Sequence, residues 1–114
     1  MQNQAAIHLI CGSTGAGKTT YARALAKREG AVSFSIDDWM CILFHPDMPE
    51  APGLEWMLER INRCEAQIWP LVGQIVRLGQ PVVLDLGLSR RDHRRRARAS
   101  AVAAGGQPQL HYLT

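Results

Sequence analysis

Residues 12–20 read GSTGAGKTT, directly behind the apolar run AAIHLIC at 5–11 and leading into KTTYARALAKRE at 18–29. Gly12, Gly17, Lys18 and Thr19 fill every fixed position of the phosphate-binding loop G-x-x-x-x-G-K-[ST]. The chemistry explains the residue types. A loop that turns its backbone N–H groups inward wraps a polyphosphate, and glycine allows the dihedral angles and the close approach. The cradle comprises Gly12, Ser13, Thr14, Gly15, Ala16, Gly17, Lys18, Thr19 and Thr20. Lys18 reaches the outer phosphates of ATP as a mobile positive charge, and the Thr19 hydroxyl is placed for Mg²⁺. The following helix aims its positive dipole end at the anion. The competing reading is a plain glycine-rich turn, which would need four fixed residues to coincide by chance at a strand–helix junction.

Outward from the loop, short apolar runs alternate with helical patterns. The runs are residues 5–11, AVSFSI at 31–36, PVVLDLG at 81–87 and QLHYLT at 109–114. Gly30 stops the first helical pattern, as a residue just past a helix end. DDWMCILF forms a short helix with Asp37 or Asp38 as its cap. HPDMPEAPG at 45–53 carries three prolines and reads as a loop, either a plain connector or a cover for the acceptor. Apolar residues at 54, 57, 58, 61, 64, 68, 71, 72 and 75 then keep a helical period, predicting a long amphipathic helix on the sheet. Pro70 removes the bond to the Ala66 carbonyl, so a kink or a break into two helices is expected. Gly79 ends that helix. Ser89 with Asp92 resembles a capping box for a last helix reaching about Ala104. Strands alternating with helices make an α/β protein with a mainly parallel sheet.

The chain's 114 residues suit one domain over 1–114, and 46% hydrophobic with 20% charged residues is ordinary for a globular protein. No apolar stretch reaches membrane-spanning length. The start MQNQAAIHLIC has no positive n-region and too short an apolar run for a signal peptide. Cys11, Cys41 and Cys64 form no CxxC pair, which points to a reducing, cytoplasmic compartment and to small buried thiols. Net charge is +3, yet RRDHRRRAR at 90–98 holds six of the 13 basic residues and one of the 10 acids. The remainder carries seven basic and nine acidic residues, so the basicity belongs to one segment.

Two carboxylate sites complete the chemistry. SFSIDDWM places Asp37 just beyond the carboxyl end of the second strand, where parallel α/β sheets bind ligands. There it can take the proton of an attacking hydroxyl. VVLDLG places Asp85 after three apolar residues, the arrangement that sets a carboxylate beside the Mg²⁺ held by Thr19. For Asp85 the bland reading is an acid at a strand end, and for Asp37 it is a helix cap.

GSTGAGKTT, SIDDWM, the long helix and VVLDLGLSRRDHRRRAR resemble, in that order, small P-loop kinases of the AAA-type ATP-binding group. These are related to zeta toxin, chloramphenicol phosphotransferase and polynucleotide kinase, and bacterial members of unassigned substrate are the most similar. The S-x-D at 35–37 and D-x-G at 85–87 are the more specific motifs. The resemblance implies a three-layer αβα sandwich with strand order 2-3-1-4-5 and nucleotide at the carboxyl edge. It implies that Asp37 is the base, Lys18 a second catalytic group, and Asp85 a metal or substrate ligand. Against that family pattern the chain stops at Thr114, before an arginine-bearing lid, a fifth strand and a final helix. The order expected here is therefore 2-3-1-4, with β4 an open edge available for homodimerisation or strand exchange.

On a helix Arg90, Arg94 and Arg98 share one face, with Arg91 and Arg95 beside it. Three readings stand: a solvated face, Arg90 or Arg94 near the phosphates or an anionic acceptor, and a nucleic-acid patch. No aromatic residue interleaves with the arginines, which weakens the third. Trp39, Trp56 and Trp69 read as packing residues, with Trp39, beside Asp37 and Asp38, able to line an acceptor pocket. His8 and His111 read as structural, and His45 and His93 lack partners at metal-ligand spacing. Glu59 and Arg63 form a surface pair. The expected function is transfer of the ATP γ-phosphate to a hydroxyl acceptor. The alternatives are a non-catalytic ATP-binding module acting through a partner, and a polynucleotide 5′-kinase.

Overall fold

A computed structural model describes residues 4–13, 17–88 and 90–113. Thr14, Gly15, Ala16 and Ser89, all named above, lie outside the described residues. The elements run β1 (Ala6–Gly12), α1 (Lys18–Glu29), β2 (Val32–Ser35), α2 (Ile36–Leu43), α3 (Leu54–Arg77), β3 (Val82–Leu88), α4 (Arg91–Ala103) and β4 (Gln107–Leu113), with a 3₁₀ turn at His45–Asp47. The strands form one parallel sheet in the order β2-β3-β1-β4. This is the expected α/β fold and strand order.

The two faces of β1 build the two halves of the core. Ile7, Leu9 and Cys11 point to one side and pack with Cys64, Ile68 and Val72 of α3 and with Ala97 and Ala101 of α4. Ile10 and Val83 point to the other side, against Ala22 and Leu25 of α1. His8 shares that second side. Its Nδ1 lies 2.9 Å from His111 Nε2, and His111 Nδ1 lies 2.8 Å from the Tyr21 hydroxyl, tying β1, β4 and α1 together. Burial pushes both imidazoles below their ordinary pKa, so each is neutral and can donate from one ring nitrogen while accepting at the other.

Helix α3 is a single helix through Pro70, so of the kink or break expected there the break into two helices does not occur. Proline inside a helix costs about 3 kcal/mol. Ile68, Val72 and Val76 are buried on either side of it, and each such side chain contributes about 1.5–3 kcal/mol. Pro70 and Ala66 both sit on the exposed side, where the freed Ala66 carbonyl faces solvent. The apolar stripe also departs from expectation at its start. Leu54 is 75% exposed and Leu58 47%, so the first turns of α3 lie off the sheet, alongside α2.

Three smaller expectations are corrected. The cap of α2 is Ser35, whose hydroxyl accepts from the Asp38 N–H at 3.4 Å, while Asp37 and Asp38 occupy the first turn. A serine three residues before Asp38 satisfies the helix end by itself and leaves both carboxylates available. Arg90, with extended φ and ψ, is the N-cap of α4, so the helix starts after Ser89 by one further residue. Cys41 is exposed, whereas Cys11 and Cys64 are buried as expected. Glu59 and Arg63 do form a surface pair, at 2.6 Å. Among the described residues no helix is long and apolar enough to cross a membrane.

Candidate active site

The phosphate-binding segment begins where β1 ends. Gly12 has φ 150°, and a Cβ there would stand 2.6 Å from the Leu113 carbonyl oxygen of β4. Glycine is therefore required twice over, by conformation and by the close approach of the neighbouring strand. Gly17 is left-handed, at φ 81°, and is the N-cap of α1. Lys18 opens that helix and its Nζ donates to the Gly12 carbonyl at 2.8 Å, which holds the amine across the loop. Ser13 and Thr20 are exposed beside it.

Thr19 and Asp85 are brought together from 66 residues apart. The Thr19 hydroxyl donates to Asp85 Oδ2 at 3.4 Å. Asp85 is only 6% exposed, and burial raises its pKa. Asp37 and Asp38 add to the rise by charge, while the Lys18 ammonium and the Thr19 hydrogen bond oppose it. The D-x-G spacing has a structural cause. Leu9 pairs with Leu84 but Cys11 with Leu88, so β3 bulges over residues 85–87, and Gly87 adopts φ 68° there. Thr19 and Asp85 offer the hard oxygen donors that Mg²⁺ takes. Among the described residues no three acidic, His or Cys side chains converge on a common point. That fits an ion held by one or two protein oxygens with phosphates and water completing its shell.

A buried carboxylate poorly compensated in the free protein carries a stability cost. Asp85→Asn is expected to stabilise the nucleotide-free chain at neutral pH by about 0.5–2 kcal/mol. The sign follows from the raised pKa: the native state holds the Asp85 proton more tightly than the unfolded state does. Stability from this group is therefore complete below the ordinary carboxylate pKa and is lost as pH rises through the raised one. Thermal melts across pH check this, and an Asn variant that melts lower than wild type at pH 7 overturns it.

The two acids at the end of β2 diverge. Ser35 is in register with Asp85, which places the start of α2 beside the end of β3. Asp38 borders a small pocket with Thr19, Arg23, Ser33, Ser35 and Asp85. Asp37 borders a much larger cleft of about 590 Å³ between α3 and α4. Trp39 does not line that cleft, because it packs on Phe34 with ring centroids 6.2 Å apart. Trp69 lines it instead.

The arginine face also divides. Arg90 borders the cleft, whereas Arg94 lies 5.7 Å from the Tyr112 ring on β4. Arg90 precedes the helix, so the helical spacing that would align it with Arg94 does not apply. Within α4 the residues facing the cleft are His93, Arg96, Ala97 and Ser100. His93 meets Glu65 of α3, Nε2 to Oε2 at 3.1 Å, both largely buried. That partner lies 28 residues away, and no local spacing reveals it. Glu65, Trp69, His93 and Arg96 thus line this candidate cleft, and sequence reasoning did not single them out for it. The one available signal was the shared helical face of 93, 96, 97 and 100.

Residues 7–114 match the AAA domain family. No curated protein matches in sequence. Among solved structures, the fold is similar to the Pnkp1/Rnl/Hen1 complex (TM-score 0.78, 15% identity), covering all of this chain and 37% of that one. It is also similar to a putative kinase from Chloroflexus aurantiacus J-10-fl (0.79, 19%), covering all of this chain and 62% of the other. A third is the Mycobacterium tuberculosis APS kinase CysC in complex with AMPPNP and APS (0.68, 16%), covering 97% of this chain and 63% of that one. This chain thus spans between about a third and two thirds of these three proteins. The fold is that of the P-loop kinases.

Proposed function

The chain belongs to the AAA-domain family, and we propose that it is an ATP-dependent phosphotransferase acting on a hydroxyl compound. The observation carrying this reading is that Asp37 and Asp85 lie within electrostatic reach of each other yet border different spaces. Asp85 stands with Thr19 next to Lys18, while Asp37 opens into a separate cleft large enough for a small acceptor. A nucleotide-binding module without a second substrate would need no such cleft.

In the proposed reaction the loop N–H groups and Lys18 hold the triphosphate. Thr19 and Asp85 would hold Mg²⁺, whose charge neutralises that developing on the phosphoryl oxygens. The acceptor lies in the α3–α4 cleft with its hydroxyl at Asp37. Asp37 takes the hydroxyl proton as the acceptor oxygen bonds to the γ-phosphorus and the bond to the β–γ bridging oxygen breaks. ADP leaves and the phosphorylated acceptor remains. A reducing, cytoplasmic setting belongs to the same reading, and the three free thiols support it. Self-association, where it occurs, would use the outer edge of β4, which has no neighbouring strand among the described residues.

The test is ADP release from Mg·ATP with and without a panel of hydroxyl acceptors. Acceptor-dependent release well above the rate in buffer is the expected result. Tight Mg·ATP binding with no acceptor-dependent release would favour the non-catalytic module instead. A polynucleotide 5′-kinase would reveal itself by steeply salt-dependent binding of nucleic-acid ends.

A further inference from the structure

The α3–α4 cleft has walls of two kinds. Leu58, Ile61 and Trp69 of α3 face Leu86 and Ala97 across it, giving an apolar interior. Arg90 and Arg96 stand at its border, and both guanidinium groups share one carboxylate, Asp92, at 3.4 and 4.0 Å. Asp92 is 61% exposed and does not line the cleft. One carboxylate at those distances leaves most of the ten guanidinium N–H donors available. Of the other charged groups of the lining, Glu65 hydrogen-bonds with His93 and Asp37 sits at the reacting end. The two arginines therefore lie together on the α4 side, while the carboxylates of the lining belong to α2 and α3.

We propose that the acceptor is a small anionic hydroxyl compound, bearing a carboxylate, phosphate or sulfate held by Arg90 and Arg96. This rests on reading the cleft as the acceptor site. The hydroxyl points to Asp37 and the carbon skeleton lies along Trp69 and Leu58. Guanidinium forks match such oxyanions in geometry as well as charge. The volume of about 590 Å³ suits a small molecule. The Glu65–His93 pair bridges the two walls, from α3 to α4.

Three kinds of probe test this at fixed ionic strength, with Mg·AMPPNP bound: inorganic phosphate; glucose beside gluconate and glucose 6-phosphate; adenosine beside AMP. Binding is read from the NMR signal of the Trp69 indole N–H, assigned with Trp69→Phe. Anionic probes are expected to shift that signal and to bind about tenfold or more tightly than their neutral counterparts. The double variant Arg90→Ala/Arg96→Ala should lose this preference. Arg95→Ala/Arg98→Ala, with the same charge loss outside the cleft, should keep it, and both should bind Mg·ATP as wild type does. Equal binding of neutral and anionic probes overturns the proposal, and so does silence from every anionic probe. Equal loss in the two double variants also overturns it, by showing bulk charge alone. A transfer assay separates it from the kinase reading. Anion-selective binding without transfer to any bound probe upholds the anionic site and counts against the kinase. Equal transfer to neutral and anionic probes does the reverse.

Discussion

Lys18→Ala is expected to lower affinity for Mg·ATP by about 30-fold or more while leaving the fold intact. Removing one partner of a close, partly desolvated charge pair costs about 2–5 kcal/mol, and every 1.4 kcal/mol is tenfold. In the free protein the Lys18 ammonium donates to the Gly12 carbonyl, a bond contributing about 0.5–1.5 kcal/mol. The two figures differ enough to be separated. A nucleotide would exchange a neutral carbonyl for phosphate oxygens, so the lysine matters far more to the complex than to the apo fold. Calorimetric titration beside a thermal melt reads both. A variant that melts within a few degrees of wild type and still binds Mg·ATP with wild-type affinity would overturn the proposed cradle. Loss of binding with an unchanged melt supports it.

The lysine was legible in the sequence because its whole setting is local. Strand, glycine turn and helix are consecutive, and Gly12 and Gly17 mark the two conformations that glycine serves. The strand order was legible through the resemblance, and the buried runs of β1 and β3 agreed with it. Apart from the exact starts of α2 and α4, what the sequence did not disclose was set by contact between distant segments. Propensity argued for a break at Pro70, yet the buried residues on the opposite side of α3 outweigh the cost of the proline. Trp39 neighbours Asp37 in the chain, yet its ring packs on Phe34, and the tryptophan lining the α3–α4 cleft is Trp69 from another helix.

The same limit governs the α3–α4 cleft. Glu65 and His93 are unremarkable in the chain, each on a polar stretch of its own helix. Their pairing depends on how far apart α3 and α4 cross the sheet, which no local pattern encodes. The arginine run was conspicuous, but conspicuousness did not say which arginines matter. Arg90 and Arg96 border the cleft, and Arg94 turns to β4. The division follows from where the helix begins, a matter of one residue at its start.

Asp37→Asn is the substitution that separates binding from chemistry most cleanly. Asparagine keeps the size and the hydrogen-bonding reach of the side chain but cannot take up a proton. General-base catalysis contributes about 10²- to 10⁴-fold, so turnover is expected to fall by that factor with an active acceptor. Nucleotide affinity should hold, because Asp37 borders the acceptor cleft and not the Lys18 side of the site. The cap of α2 should hold as well, since Ser35 supplies it. Losing one negative charge from the first turn of α2 costs about 0.3–1 kcal/mol, too little to unfold the chain. The comparison with Asp85→Asn sharpens the outcome. That variant should lose Mg²⁺-dependent turnover while melting higher, whereas Asp37→Asn should lose turnover while melting slightly lower. Turnover within tenfold of wild type in a folded Asp37→Asn chain would remove Asp37 as the base. The proton would then have to go directly to a phosphate oxygen, with the cleft serving only to hold the acceptor in line.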